Sequence, residues 1–145
     1  MIFETHAHYD DEAFDPDRDA LLRSMHENGI ETIVNVGASL RGVEDTVKLM
    51  KQYPFVYGAI GVHPDEVGTL DEAKMELLCK YCRLPKTVAV GEIGLDYYWD
   101  KENHETQKKW FVRQMDLAKE TELPIIVHSR DAAKDTLDIM KAERA

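Results

Sequence analysis

The sequence has 145 residues, of which 43% are apolar and 32% are charged, and this composition is typical of a globular protein and not of a disordered chain. With a formal net charge of −10 the chain cannot rely on its overall charge to bind nucleic acid, so a polyanionic substrate would need bound metal ions or a local basic patch. No N-terminal stretch has the pattern of a secretion signal, and no apolar run reaches the roughly 18 residues of a membrane-spanning helix. We therefore expect a cytoplasmic protein with no membrane partner.

Hydrophobic periodicity predicts a short apolar strand followed by an amphipathic helix, repeated five times along the chain. The predicted strands are Ile2–Thr5, Thr32–Gly37, Phe55–Pro64, Thr87–Asp96 and Leu123–Ser129. The predicted helices follow at Asp17–Asn28, Arg41–Gln52, Leu70–Cys82 and His104–Thr121, and the fifth helix begins near Arg130.

Apolar strands separated by single helices favour a parallel sheet that is buried on both faces. The modules average about 29 residues, close to the roughly 31 residues per module of a (β/α)₈ barrel. A doubly wound sheet is the alternative, but it usually carries a glycine-rich loop after its first strand, where this chain has "HAHYDD". We predict an α/β fold of TIM-barrel type, incomplete at five βα modules, in a single partial domain over residues 1–145.

Ionisable residues occur at the predicted carboxyl ends of four strands, the end at which a barrel keeps its active site. They are His6, His8, His63, Glu92 and His128. Residues two apart on an extended chain point to the same side, so the first two imidazoles should lie together. Glu92 stands among apolar residues, where an unpaired carboxylate is costly to bury. Each could be an ordinary polar residue at a strand end, but together they predict a ligand set for Zn²⁺, Mn²⁺ or another divalent ion.

Three other features leave alternatives open. The aromatic run Tyr97–Trp99, after the fourth strand, could stack on bases, cover the site or pack against the barrel rim. Cys79 and Cys82 form a C-x-x-C pair within a helical pattern, and we expect a structural role more than a redox or zinc site. His26 and His104 are expected to be solvated on their helices.

Five segments occur in the order typical of one family, between Thr5 and about Ala133. They read "ETHAHYD", "GVHP", "GEIGLDYY", "QKKWFVRQMDLA" and "LPIIVHSRDA". The sequence resembles the TatD family of metal-dependent deoxyribonucleases, which implies an amidohydrolase-like barrel. Glu4 and Ala7 stand where the family more usually has Asp and Cys, and neither position is a metal ligand in the family.

The resemblance implies two divalent metal ions, Mg²⁺ in the first place, with Mn²⁺ or Zn²⁺ as alternatives. His6 and His8 would hold one ion, Glu92 would bridge it to the second, and His128 would bind that second ion. Two such ions can clamp a phosphodiester and generate hydroxide from bound water. DNA is the substrate that the family implies.

Three further residues are candidates for substrate binding. The resemblance implies that His63 faces the substrate, and Arg130 could contact a phosphate. Asp96 is the third candidate. Arg130 also stands where a helix is predicted to begin, with Ser129 and Asp131 as its capping and first-turn residues.

The family pattern also places a metal-binding His on a sixth strand and a catalytic Asp on an eighth, and both positions would lie beyond Ala145. The catalytic residue therefore stays unassigned, and we expect impaired cleavage. Five strands of a barrel would leave two unpaired edges and an uncovered inner face, which favours self-association or complementation by another chain. Two alternatives stay open: the same site acting on a small amide, ester or phosphate, and a catalytically dead metal-binding fragment.

Overall fold

The computed structural model describes all 145 residues and contains five parallel strands in one sheet, in the order β1-β2-β3-β4-β5. The strands are β1 (Ile2–Ala7), β2 (Ile30–Val36), β3 (Val56–Ile60), β4 (Thr87–Asp96) and β5 (Ile125–Arg130). The helices are α1 (Arg18–Glu27), α2 (Leu40–Gln52), α3 (Glu72–Cys82), α4 (His104–Thr121) and α5 (Ala133–Glu143). Each strand is followed by one α-helix, and the sheet curls into a half-barrel, so the predicted incomplete TIM-barrel type is confirmed. No helix combines the length and apolar character that crossing a membrane requires.

Several predicted boundaries need correction, among them the ends of β3 and β5. Strand β3 ends at Ile60, so His63 lies in a loop; the backbone of Val62 bonds to a side chain of α4 and not to a neighbouring strand. Strand β5 continues to Arg130 because that residue still pairs with Asp96 of β4.

The predicted start of the fifth helix was wrong for the same reason. Helix α5 begins at Ala133, after the longer strand, and its N-cap residue Ala132 makes no side-chain capping bond. Ser129 therefore does not cap the helix, and its hydroxyl lies 3.0 Å from the Thr136 hydroxyl. Asp131 has a positive φ of 53° in the turn between the two elements.

The main apolar core lies between the outer face of the sheet and helices α2, α3 and α4. Its fully buried side chains include Leu78, Ile93 and Phe111, and burial of each contributes about 1.5–3 kcal/mol. Cys82 also lies in this core, and both cysteines are free thiols. His104 does not match the prediction of a solvated side chain, because it is half-buried with its ring stacked on Tyr97 at 3.6 Å.

The inner face of the half-barrel is less well covered. A small apolar cluster there contains Val34, Val36, Ala59 and Ala89. Next to it, an open cavity of about 560 Å³ is lined by apolar side chains such as Tyr57 and Ile126. Phe3 of β1 also lines this cavity and is exposed. The first and last strands of the sheet each have a single neighbour, so both sheet edges are unpaired.

Candidate metal centre

The parallel strands bring the predicted histidines and Glu92 to the same end of the sheet. His6 lies in β1, His8 follows it directly, and Glu92 and His128 lie in β4 and β5. His63 reaches the same place from the loop after β3. The side chains form two overlapping groups whose donor atoms lie within 4.8 Å of one another in each group.

The first group has the dimensions of a metal-binding site. The Nε2 atoms of His6 and His8 are 3.2 Å apart, so the two imidazoles do point the same way. The Oε2 atom of Glu92 lies 3.5 Å from the first of these nitrogens and 3.8 Å from the second. A point equidistant from the three atoms lies about 2.0 Å from each, which matches the roughly 2.0–2.1 Å of Zn–N bonds and of Mg–O bonds. On the far side of the His8 ring, Nδ1 lies 2.8 Å from the Val36 carbonyl oxygen and fixes the ring.

The second group uses the other oxygen of the same carboxylate. Oε1 of Glu92 lies 3.1 Å from Nδ1 of His128, and the rings of His63 and His128 meet edge to face at 4.2 Å. Only 13% of the Glu92 side chain is exposed. One nearly buried carboxylate therefore faces two sets of histidines, and this donor set fits two divalent ions that share a ligand.

A buried carboxylate behind His128 orients the ring. Asp96 is 1% exposed, and its Oδ2 lies 2.9 Å from Nε2 of His128. Its Oδ1 accepts hydrogen bonds of 2.9 Å from the backbone N–H groups of Tyr98 and Trp99. Burial alone would raise the pKa of Asp96, but the hydrogen bonds from these amides and from His128 outweigh it and lower the pKa. Both oxygens of Asp96 are engaged inside the protein, which favours an orienting role over the predicted contact with substrate.

Gly94 allows β4 to approach β5 closely enough for these contacts. Its φ is +145°, and a Cβ atom at this position would overlap the carbonyl oxygen of His128. Any other residue would push the two strands apart and separate Glu92 from His128.

Two glutamines of α4, which the sequence pattern did not single out, hold the site loops from behind. Gln107 accepts a hydrogen bond from the backbone N–H of Asp96 (2.8 Å) and donates one to its carbonyl oxygen (2.9 Å). Gln114 makes the same pair of bonds with Val62, directly before His63 (2.8 and 3.1 Å). Both glutamines are fully buried. The available signal was their seven-residue spacing on an otherwise apolar helix face.

Asn35, at the end of β2, was passed over because that strand carries no ionisable residue. It is fully buried, and its amide accepts from the Tyr9 backbone N–H at 2.6 Å and donates to Asp10 Oδ1 at 2.8 Å. It also donates to the Thr46 hydroxyl at 2.8 Å. Asn35 thus holds the loop that follows His8. Burial raises the pKa of Asp10, and the bond from Asn35 opposes that shift.

His63 and Asp65 border an open, polar cleft of about 560 Å³ at the same end of the sheet. The Asp65 backbone N–H donates to Nδ1 of His63 at 3.2 Å. Burial lowers the pKa of His63, and the neighbouring His128 lowers it further, so the neutral ring is favoured. Asp65 was not among the predicted site residues, and burial raises its pKa. With Asp96, these two residues form a third group of candidate donor atoms.

Arg130 lies on the rim of the site against two exposed aromatic rings. Its guanidinium carbon is 3.9 Å from the ring centre of Tyr98 and 5.4 Å from that of Trp99. Tyr97 differs from its neighbours, because it is half-buried and its hydroxyl donates to Asp135 at 2.8 Å. The aromatic run therefore divides into one packing residue and two rim residues.

The last residue, Ala145, contributes nothing to the metal centre. It follows α5, is exposed, and its backbone N–H donates to the Met140 carbonyl oxygen at 3.0 Å. The three groups of candidate donor atoms all come from residues between His6 and His128. The sheet has five strands, so the further His and the catalytic Asp that the family pattern places on a sixth and an eighth strand stay predictions.

A curled parallel sheet with histidines and carboxylates gathered at the carboxyl ends of its strands is typical of metal-dependent hydrolases with a barrel fold. The sequence profile of the family described as TatD related DNase matches residues 3–145. The chain therefore belongs to the TatD family of metal-dependent hydrolases.

Individual relatives agree with this assignment. The chain is 39% identical over 145 residues to the uncharacterized metal-dependent hydrolase YabD of Bacillus subtilis, covering 100% of this chain and 57% of YabD. It is 30% identical over 128 residues to the 3'-5' ssDNA/RNA exonuclease TatD of Escherichia fergusonii, covering 88% and 49% of the two chains. The crystal structure of the TatD homologue YjjV from Escherichia coli superposes with a TM-score of 0.89 at 30% identity, covering 98% and 56%. The chain thus spans about half the length of the curated relatives it matches.

Proposed function

We propose that the chain binds two divalent metal ions and belongs to a phosphodiesterase that cleaves DNA. The observation that carries this proposal is the position of Glu92, whose two oxygens face different histidines, 3.1 to 3.8 Å away. His6 and His8 would hold one ion with Glu92, and His128 would hold the other. Mg²⁺ is the expected metal, with Mn²⁺ or Zn²⁺ as alternatives. Bound ions would supply an activated water and would neutralise phosphate charge, which a chain of net charge −10 needs.

The other residues of the site would bind and orient the substrate. His63 borders the polar cleft with its Nδ1 bonded to a backbone amide, which leaves Nε2 to donate to a phosphate oxygen. Arg130 forms no ion pair within the chain, so its guanidinium is free to contact a phosphate from the rim. Asp96 would keep His128 turned toward Glu92. We expect cleavage by this chain to be impaired relative to the longer relatives, because it spans about half their length.

We also propose that the chain associates with itself or with a complementary chain through the inner face. The two unpaired strand edges and the exposed Phe3 support this proposal. Such an association would cover the apolar cavity beside β1 and β5.

The test is metal content combined with nuclease activity on the purified chain, with and without added Mg²⁺ or Mn²⁺. We expect two bound ions, one of which is lost in the double variant His6→Ala, His8→Ala, and both of which are kept in His26→Ala, a control on the exposed surface of α1. Absence of bound metal in the unaltered chain would overturn the proposal. Metal with hydrolysis of small amides or esters, and none of DNA, would favour the alternative substrate class; metal with no hydrolysis at all would leave a binding fragment.

A further inference from the structure

The turn that follows His8 is bonded to a single arginine of α1. Arg18 is the first residue of that helix, and its side chain is only 22% exposed. Its Nε donates to the Tyr9 carbonyl oxygen, and its Nη2 donates to the Asp11 carbonyl oxygen and to Asp15 Oδ1, both at 2.7 Å. One guanidinium thus connects α1 to three points of the segment 9–15.

The backbone of this turn is also held from the sheet. The carbonyl oxygen of His8 accepts from the Asp11 backbone N–H at 3.1 Å, which closes the turn. The Tyr9 N–H donates to the Asn35 side chain at 2.6 Å, so Asn35 and Arg18 together bond both backbone groups of Tyr9. The two buried glutamines of α4 hold the other site loops in the same way, each through one N–H and one carbonyl group.

The His8 ring depends on this turn because little else holds it. The ring is 42% exposed, and behind it only the Val36 carbonyl oxygen bonds Nδ1. Its Nε2 lies 3.8 Å from Glu92 Oε2, on the side where an ion would bind. A metal ligand has to be held within about 0.5 Å of its binding geometry. The position of the backbone on either side of His8 therefore decides whether the imidazole meets that requirement.

We propose that Arg18 is a positioning residue of the metal centre, whose guanidinium fixes the turn after His8 and thereby places the imidazole for the ion that His6 and His8 would hold. This inference rests on the proposed metal centre. Arg18 acts through the backbone and not through the side chains of the candidate ligands. The same turn carries Asp10, Asp11 and Glu12, which border the polar cleft beside His8, so Arg18 also fixes one wall of the cleft.

The charge of Arg18 makes this role separable from an electrostatic one. A guanidinium repels a metal cation, so by charge alone its removal should strengthen metal binding. Loss of positioning predicts the opposite change. Arg18→Lys keeps the charge, but its single ammonium group lacks the planar fork that donates to several acceptors at once. Arg18→Gln and Arg18→Lys should therefore both weaken binding, and the first more than the second.

The experiment is calorimetric titration of the full chain with Mn²⁺. The ion of His6 and His8 is identified by its absence in the double variant His6→Ala, His8→Ala. We expect Arg18→Gln to weaken binding of this ion about tenfold, the lower end of the loss typical of residues behind metal ligands, and to leave the His128 ion unchanged. The control is Arg23→Gln, on the same helix, whose side chain is 62% exposed and pairs with Asp19; both ions should keep their affinity.

A second measurement follows the turn without any metal. Amide hydrogen exchange of the metal-free chain, resolved by NMR, reports the Asp11 N–H that bonds the His8 carbonyl oxygen. Arg18→Gln should speed exchange in the segment 9–15 and leave the amides of α4 unchanged, whereas Arg23→Gln should change neither. Faster exchange throughout α4 would indicate a general loss of stability instead.

The remaining outcomes separate this proposal from the metal centre itself. Unchanged or tighter Mn²⁺ binding in Arg18→Gln would overturn the positioning role and leave the metal centre standing. Equal loss of affinity for both ions, together with faster exchange in α4, would also overturn it, because the effect would then be on folding. If the unaltered chain binds no Mn²⁺, the metal centre is overturned and the role of Arg18 with it, whatever the exchange rates show.

Discussion

The two sides of the metal centre are built differently. On the β1 side, His6 and His8 are 39% and 42% exposed, and of the two rings only that of His8 bonds a backbone group behind it, the Val36 carbonyl oxygen. On the β4 side, Glu92 is nearly buried and its neighbour His128 is held by Asp96. Contacts from behind orient the candidate ligands of the β4 side, whereas we expect the more exposed candidate ligands of the β1 side to depend more on the ion itself.

Glu92→Gln should have the largest effect, because this residue faces both sides. We expect loss of both ions, a larger effect than the about 10- to 100-fold loss typical of partners behind the ligands. Metal content after dialysis is the measurement, and Glu76→Gln, on the exposed surface of α3, is the control. Retention of one ion would show that the two groups bind independently of Glu92.

His8→Ala and His128→Ala should each remove one ion and so separate the two sides. We expect the ion on the β4 side to survive in His8→Ala with little loss of affinity, because the Asp96–His128 pair does not involve β1. Calorimetric titration with Mn²⁺ checks both variants. Loss of both ions in His8→Ala would mean that the β1 side organises the entire centre.

Asp96→Asn should weaken binding of the β4-side ion by about 10- to 100-fold. The amide nitrogen that replaces Oδ2 cannot accept a hydrogen bond from His128. The β1-side ion should keep its affinity in the same titration. An equal loss of affinity for both ions would contradict an orienting role that is confined to His128.

Gln107→Leu should lower the free energy of unfolding by about 1–3 kcal/mol, because the buried N–H and carbonyl of Asp96 lose their partners. Gln114→Leu should do the same through Val62. Denaturant unfolding measures the free energy of unfolding of both variants. Gln52 is exposed, so Gln52→Leu should change this free energy by less than about 0.5 kcal/mol. An equally large loss of stability in Gln52→Leu would contradict the special role of the two buried glutamines.

Phe3→Asp should have the smallest effect on metal binding, and it should instead reduce self-association through the inner face. The added charge on the inner face should shift the chain toward monomer in sedimentation equilibrium, since it opposes burial of that face. Leu137→Asp on the outer surface should leave the distribution unchanged. An unaltered chain that is already monomeric would rule out self-association.

The sequence predicted the five βα modules. It also predicted that His6, His8, Glu92 and His128 lie at one end of the sheet. These predictions succeeded because hydrophobic period and strand-end position are local patterns, and parallel strands align their carboxyl ends whatever the details of packing. The resemblance to the TatD family, carried by short motifs in order, was likewise readable without coordinates.

Only the tertiary structure revealed the residues that hold these ligands in place. The roles of Gln107, Gln114 and Asn35 depend on which backbone lies opposite each amide, and that is decided by helix-to-sheet packing between residues far apart in the chain. The end of β5 and the start of α5 were misplaced for the same reason, because pairing with β4 extends the strand to Arg130. The sequence by itself determined the fold class and the set of candidate metal ligands, through local periodicity and residue type. The tertiary structure decided how rigidly each ligand is held and which aromatic rings stay exposed, because both follow from long-range contacts.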